Sequence, residues 1–155
     1  MVDTVDPRGA RFGQAVTAAL ALAGVGLQEP VLVYALAGLL ALPVVSRWRL
    51  DPYGFAWSRV LQRIVGPPDA VESAVPHRFA RLVGAMFGTA ATGLFLVSLA
   101  SGVGAVAVAG YGLAAAVGLL AGLSATTGFC VGCRMYRQVG LFRELGLLTS
   151  PDHRT

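Results

Sequence analysis

There is no lysine in this chain. Its twelve basic residues are all arginines, at positions 8, 11, 47, 49, 59, 63, 78, 81, 134, 137, 143 and 154, and none stands inside a long apolar run. A nucleic-acid footprint is a basic patch on a solvated fold. Charge that only flanks apolar runs suits anionic headgroups instead, so no nucleic-acid partner is expected. Charge of either sign is scarce, 13 % of residues against about 25 % in soluble domains, and few residues are left to form a polar shell around a soluble core. The eight acids (Asp3, Asp6, Glu29, Asp51, Asp69, Glu72, Glu144 and Asp152) also stay out of the apolar runs, which argues against a proton-driven transporter of the usual kind. Asp6 and Asp51 each precede a proline and read as helix caps or partners of nearby arginines. Histidine is reduced to His77 and His153, and cysteine to Cys130 and Cys133. No P-loop or dinucleotide fingerprint is present, and no Ser–His–acid arrangement can be drawn. No convincing small-x-small cleavage site ends the first apolar run, and Gln28-Glu29-Pro30 leads directly into another, so the run reads as a retained helix rather than a cleaved signal.

What the chain has in abundance is apolar sequence: 55 % hydrophobic residues and a mean hydropathy of +0.68, gathered in long blocks. Four blocks read as transmembrane helices, at about 12–28, 30–46, 82–100 and 103–127, the first two near the lower length limit for a bilayer of roughly 30 Å. The twenty glycines fit this reading, because small residues let helices in lipid approach closely. Gln28-Glu29-Pro30 joins the first two blocks and Ser101-Gly102 the last two, and neither turn holds an arginine. The expectation is an all-α integral membrane protein, one membrane domain over 1–155, with four transmembrane helices as two hairpins. With every arginine at the opposite ends, both termini and the central loop fall in the cytoplasm. Arg11-Phe12 and Arg78-Phe79 open the two halves alike, which suggests a parallel 2+2 repeat; shared interface chemistry explains the similarity equally well.

Between the halves, Trp48, Tyr53, Phe55 and Trp57 lie close together. Val60, Leu61, Ile64 and Val65 then alternate with Arg59 and Arg63, up to Gly66-Pro67-Pro68. Segment 52–66 thus reads as a short amphipathic helix at the interface. The last seven residues, 149–155, form a polar tail.

The chemistry-bearing motif is TTGFCVGCRMYR, Thr126 to Arg137. Cys130 and Cys133 are the chain's only cysteines and stand three apart, on one side of any helix that carries them. Arg134 and Arg137 beside them would favour thiolates. The expected site is this pair, used for thiol–disulfide exchange or sulfur relay, with the two arginines stabilising the thiolate. A metal reading needs Cys130, Cys133 and His77 together, one ligand short of the usual zinc set, or a zinc shared across a dimer. A third reading makes the cysteines compact packing groups.

These pieces, with DPRGARFGQ at Asp6 to Gln14 and PHRFAR at Pro76 to Arg81, resemble DUF4395, a family of small bacterial integral membrane proteins of unknown function. The resemblance implies four spans, the bacterial cytoplasmic membrane, and no established activity. It also implies a thioredoxin-like or sulfurtransferase partner for some members. No cofactor is expected, with a quinone or a dimer-shared zinc as the alternatives. The small-residue steps Gly84/Gly88 and Gly118/Gly122 suit packing within the chain or a homodimer. Set against the thiol reading is a structural or accessory membrane protein, or a carrier of small sulfur compounds, working without thiol chemistry.

Overall fold

Asp6 and Pro7 begin the first helix for reasons of local chemistry. The Asp6 carboxylate accepts from the Arg8 amide at 2.9 Å, and proline at the first helical position loses no hydrogen bond. A computed structural model describes residues 4–68, 70–130 and 134–138. In chain order its elements are β1 (Thr4–Val5), α1 (Pro7–Gly26), α2 (Pro30–Val45), α3 (Pro52–Ala56), a π-helical turn (Trp57–Leu61), α4 (Gln62–Val65), β2 (Glu72–Ser73), α5 (Ala74–Ser101) and α6 (Gly104–Thr127). Residues 134–138 are also helical. Gly102 and Gly128, both at φ 71°, end α5 and α6 in the left-handed conformation that glycine adopts without a Cβ penalty.

Helices α1, α2, α5 and α6 pack as a ring, each against two neighbours, with α1 against α6 the most extensive contact. Small residues set the spacing. A Cβ on Gly88 would lie 3.3 Å from the Ala37 Cα on α2, and one on Gly118 would lie 3.0 Å from the side chains of Ala21 and Leu22 on α1. The core is correspondingly slight: Ala21, Leu36, Leu40, Tyr53, Ala85 and Val117 form one cluster, and Val33, Ala91, Phe95 and Ala114 another.

The expectation of four transmembrane helices is corrected here. Among the described residues only two helices, α5 and α6, are long and apolar enough to cross a membrane. Their 28 and 24 residues reach about 42 and 36 Å at 1.5 Å per residue. The α1 helix carries Arg8, Arg11 and Gln14 at its start, and its remaining stretch, 15–26, covers about 18 Å. The α2 helix is uniformly apolar but only 16 residues long, about 24 Å against a hydrocarbon layer of about 30 Å. Apolar sequence ran continuously across both, but charge shortens one and turns shorten the other. The two hairpins are therefore unequal in length, unlike the copies of the 2+2 repeat. Only 22 % and 28 % of the most apolar windows of α5 and α6 are buried, so these are not the core helices of a water-soluble fold. Leu99 and Val108 are 82 % and 70 % exposed, a surface that suits hydrocarbon. The chain is membrane-associated.

One end of the ring gathers the arginines. The β1–β2 pairing, Thr4 with Ser73 and Val5 with Glu72, ties the start of α1 to the start of α5. The Arg11 guanidinium lies against Gly128 at the end of α6, and Arg78 stacks over Trp48, just past α2, at 5.3 Å. At the other end the Tyr111 hydroxyl donates to the Gln28 carbonyl at 2.7 Å. The α3, π-turn and α4 segment lies across the arginine end, with Phe55, Val60, Ile64 and Val65 exposed.

If small residues set the helix spacing, Gly88→Leu should lower stability by about 1–3 kcal/mol through overpacking against the α2 backbone. Gly93→Leu, with nothing within 4 Å of its Cβ direction, should leave it nearly unchanged. Thermal unfolding of the detergent-solubilised protein, followed by circular dichroism, compares the two; equal losses would refute the packing argument.

Candidate functional site

Asp51 caps α3 as Asp6 caps α1: its Oδ1 accepts from the Tyr53 amide at 3.2 Å. That cap turns the Tyr53 ring inward, where it is 4 % exposed, and brings its hydroxyl to 3.2 Å from the Thr17 hydroxyl on α1. Oδ2 of the same aspartate receives Arg81 Nη1 from α5 at 2.7 Å. The Arg81 guanidinium in turn lies over the Tyr53 ring at 5.1 Å. Burial pushes the Tyr53 phenol above its ordinary value of 10.0, against the opposing pull of the Thr17 hydrogen bond and the Arg81 charge. The π turn places Trp57 beside this group, with its indole N–H donating to Asp6 Oδ2 at 3.1 Å and its ring against Gly9 and 6.0 Å from Phe12.

Two adjacent hollows flank Arg81. The outer one, about 180 Å³, lies at the arginine end beneath Trp48 and Trp57, with Asp6, Asp51 and Arg78 in its wall. The inner one, about 260 Å³, runs between α1, α5 and α6. Ala10, His77 and Arg81 belong to both walls. The inner wall is mostly apolar, from residues such as Leu40, Phe87, Val117 and Leu120, and its neutral polar groups include Gln14, Thr17 and Ser124. Among the described residues of its wall, the charged or ionisable side chains are Arg81, His77 and the Cys130 thiol, and none is a carboxylate.

The residues expected to carry chemistry fall differently. Cys130 is half-buried in the inner wall, beyond the Gly128 cap of α6, and its carbonyl accepts from the Arg134 amide at 3.0 Å. Cys133 lies outside the described residues, as does the tail 149–155 with His153. Arg134 and Arg137 are exposed, and the Arg134 guanidinium sits 4.9 Å over the Phe129 ring. His77 shares the inner wall with Cys130, but its imidazole pairs with Glu72 at 3.4 Å.

Residues 5–140 match the family model described as "Domain of unknown function (DUF4395)". The chain belongs to the DUF4395 family. No curated protein and no solved structure matches it.

The thiol–disulfide or sulfur-relay reading, with its redox-active CxxC, is corrected by the surroundings of Cys130. The chain has only two cysteines. The described residues contain no disulfide and no group of three or more His, Cys, Asp and Glu side chains able to hold a metal. Cys130 belongs to the wall of a largely apolar hollow, and the Arg134 guanidinium is spent on a ring. The groups that do converge in this DUF4395 protein, Asp51, Tyr53, Arg81 and Thr17, come from three separated stretches. The Asp51-Pro52 cap signal was in the sequence; its link to Thr17 and Arg81 depended on how α3 folds back.

The raised Tyr53 pKa has a pH consequence. The folded state holds the phenolic proton more tightly than the unfolded state, so the contribution is complete below pH 10 and is lost as pH rises through the folded value. With no lysine in the chain and arginine protonated beyond pH 12, neither amine nor guanidinium titration masks the Tyr53 contribution above pH 10. Tyr53→Phe should cost about 1 kcal/mol at pH 7 for the lost hydrogen bond and flatten the alkaline fall in melting temperature. An alkaline limb identical to the parent's would remove Tyr53 as its source.

Proposed function

We propose that this DUF4395 protein is an accessory or carrier protein of the membrane that binds a small amphipathic molecule without thiol chemistry. The observation that carries the reading is the inner hollow. It is apolar along most of its wall and is set among α1, α5 and α6, with a few polar groups grouped toward the arginine end. Ligand sites in proteins share that composition: mostly hydrophobic walls with a small number of placed polar groups.

The α5–α6 hairpin crosses the bilayer, with Gly102 on the far side. The arginine end, and with it both chain ends, faces the cytoplasm, where basic residues are retained. Phe55, Val60 and Ile64 rest in the interface, and Arg59 and Arg63 meet anionic headgroups.

Two experiments test this. Native mass spectrometry of the protein released from detergent should show a small-molecule adduct that is absent from Ala116→Phe, whose ring fills the hollow from α6. An adduct that persists in this variant, or none in the parent, ends the binding reading. For sidedness, a cysteine at Ser101, in a chain with Cys130→Ser and Cys133→Ser, should react with an impermeant maleimide in intact cells. One at Thr4 should react only after lysis. The reverse pattern would invert the orientation.

A further inference from the structure

We propose that the inner hollow takes an anionic amphiphile of single short chain, a medium-chain carboxylate in type, with its acid group held by Arg81. The proposal rests on the binding reading above and names the chemistry of its ligand.

Three observations carry it. The first is the sign of the wall. Arg81 is a fixed cation in the inner hollow, and none of its described wall residues is a carboxylate. A cationic ligand would meet like charge there, and a neutral one would accept from the guanidinium without a charge of its own to strengthen the bond. The carboxylates that pair with Arg81 and His77, Asp51 and Glu72, approach from outside the described inner wall. Asp51 is in the outer hollow, and Glu72 lies beside His77 on β2.

The second is how Arg81 divides its nitrogens. Nη1 is the one that reaches Asp51, at 2.7 Å. Nη2 lies toward α1, where a Cβ on Gly13 would be 3.6 Å from it, and Gly13 is part of the inner wall. A guanidinium has five N–H donors in a fixed fork, so one arginine can serve Asp51 on one edge and a ligand acid on the other. The plane of that fork is held by the Tyr53 ring beneath it, at 5.1 Å, and that ring is itself fixed through Thr17. Gln14, Thr17 and Ser124 stand in the same wall as further polar partners.

The third is size. A volume of about 260 Å³, at roughly 30 Å³ per non-hydrogen atom, corresponds to about nine such atoms and suits one short chain with a compact end group.

The test uses the full-length protein in nanodiscs and three radiolabelled probes of equal chain length: octanoate, octan-1-ol and octylammonium. Retention on Ala116→Phe nanodiscs is subtracted from each to remove partition into lipid. Octanoate should bind about tenfold or more tightly than octan-1-ol, the scale of one charge-assisted hydrogen bond, and octylammonium should bind least. Arg81→Gln should erase the preference for octanoate over octan-1-ol, and Arg81→Lys should restore part of it. Should Arg81→Gln fail to fold, the Lys variant decides the matter, because a purely structural Arg81 would leave the octanoate-to-octanol ratio unchanged in Arg81→Lys. Equal binding of octanoate and octan-1-ol, or preference for octylammonium, overturns this inference and leaves the binding reading intact. No retention of any probe above the Ala116→Phe background overturns both.

Discussion

The contact on which the arginine end depends is the pairing of Asp51 with Arg81 across the Tyr53 ring. Asp51 starts α3 by capping it, Arg81 belongs to α5, and Tyr53 reaches through to Thr17 on α1. Three elements far apart in sequence are thus closed over one buried aromatic ring. A partly buried ion pair does not stabilise a fold cheaply, because both charges lose water. Here the cation gains a ring face and the carboxylate a backbone amide, so neither charge is left with a single partner. The linkage also explains why the segment after α2 folds back over the ring instead of trailing into the interface. Tyr53 draws it inward, and Trp57, bonded to Asp6, fastens it one turn later.

Elsewhere the structure is held by closeness rather than by bulk. Ala21, Ala37, Gly88 and Gly118 let the helices touch nearly backbone to backbone, which favours dispersion contacts over many short distances. The inner hollow lies where the wall also carries the larger Leu40, Phe87 and Leu120. Tight seams and the cavity are two results of one distribution of side-chain sizes around the ring.

Much of this was legible in the sequence, and the limits are physical. The caps at Asp6-Pro7 and Asp51-Pro52 could be read because proline and a preceding aspartate act locally. The separation of arginines from the turns could be read because charge is visible residue by residue. The number of spans could not be read from hydropathy. Arg8 and Arg11 sit inside α1 rather than ahead of it, and α2, though uniformly apolar, is only 16 residues long. The site was misread for a related reason. Cys130 and Cys133 are conspicuous because they are rare, whereas Thr17, Tyr53 and Arg81 are ordinary residues whose meaning arises only from their meeting. Among single signals, only Asp51 before Pro52 pointed there.

The most extensive interface joins the first long helix, α1, to the last, α6. During synthesis the ring therefore stays open until nearly the whole chain has left the ribosome. At the several residues per second of translation, Ala21 waits many seconds for Gly118, with the α1 face that will meet α6 uncovered. Closure of so long a loop adds little equilibrium cost but makes late assembly the slow step. A nascent chain of this kind is most exposed to degradation or mispairing in that interval, and a substitution on the α1–α6 seam would reduce the yield of assembled protein before it altered the finished fold.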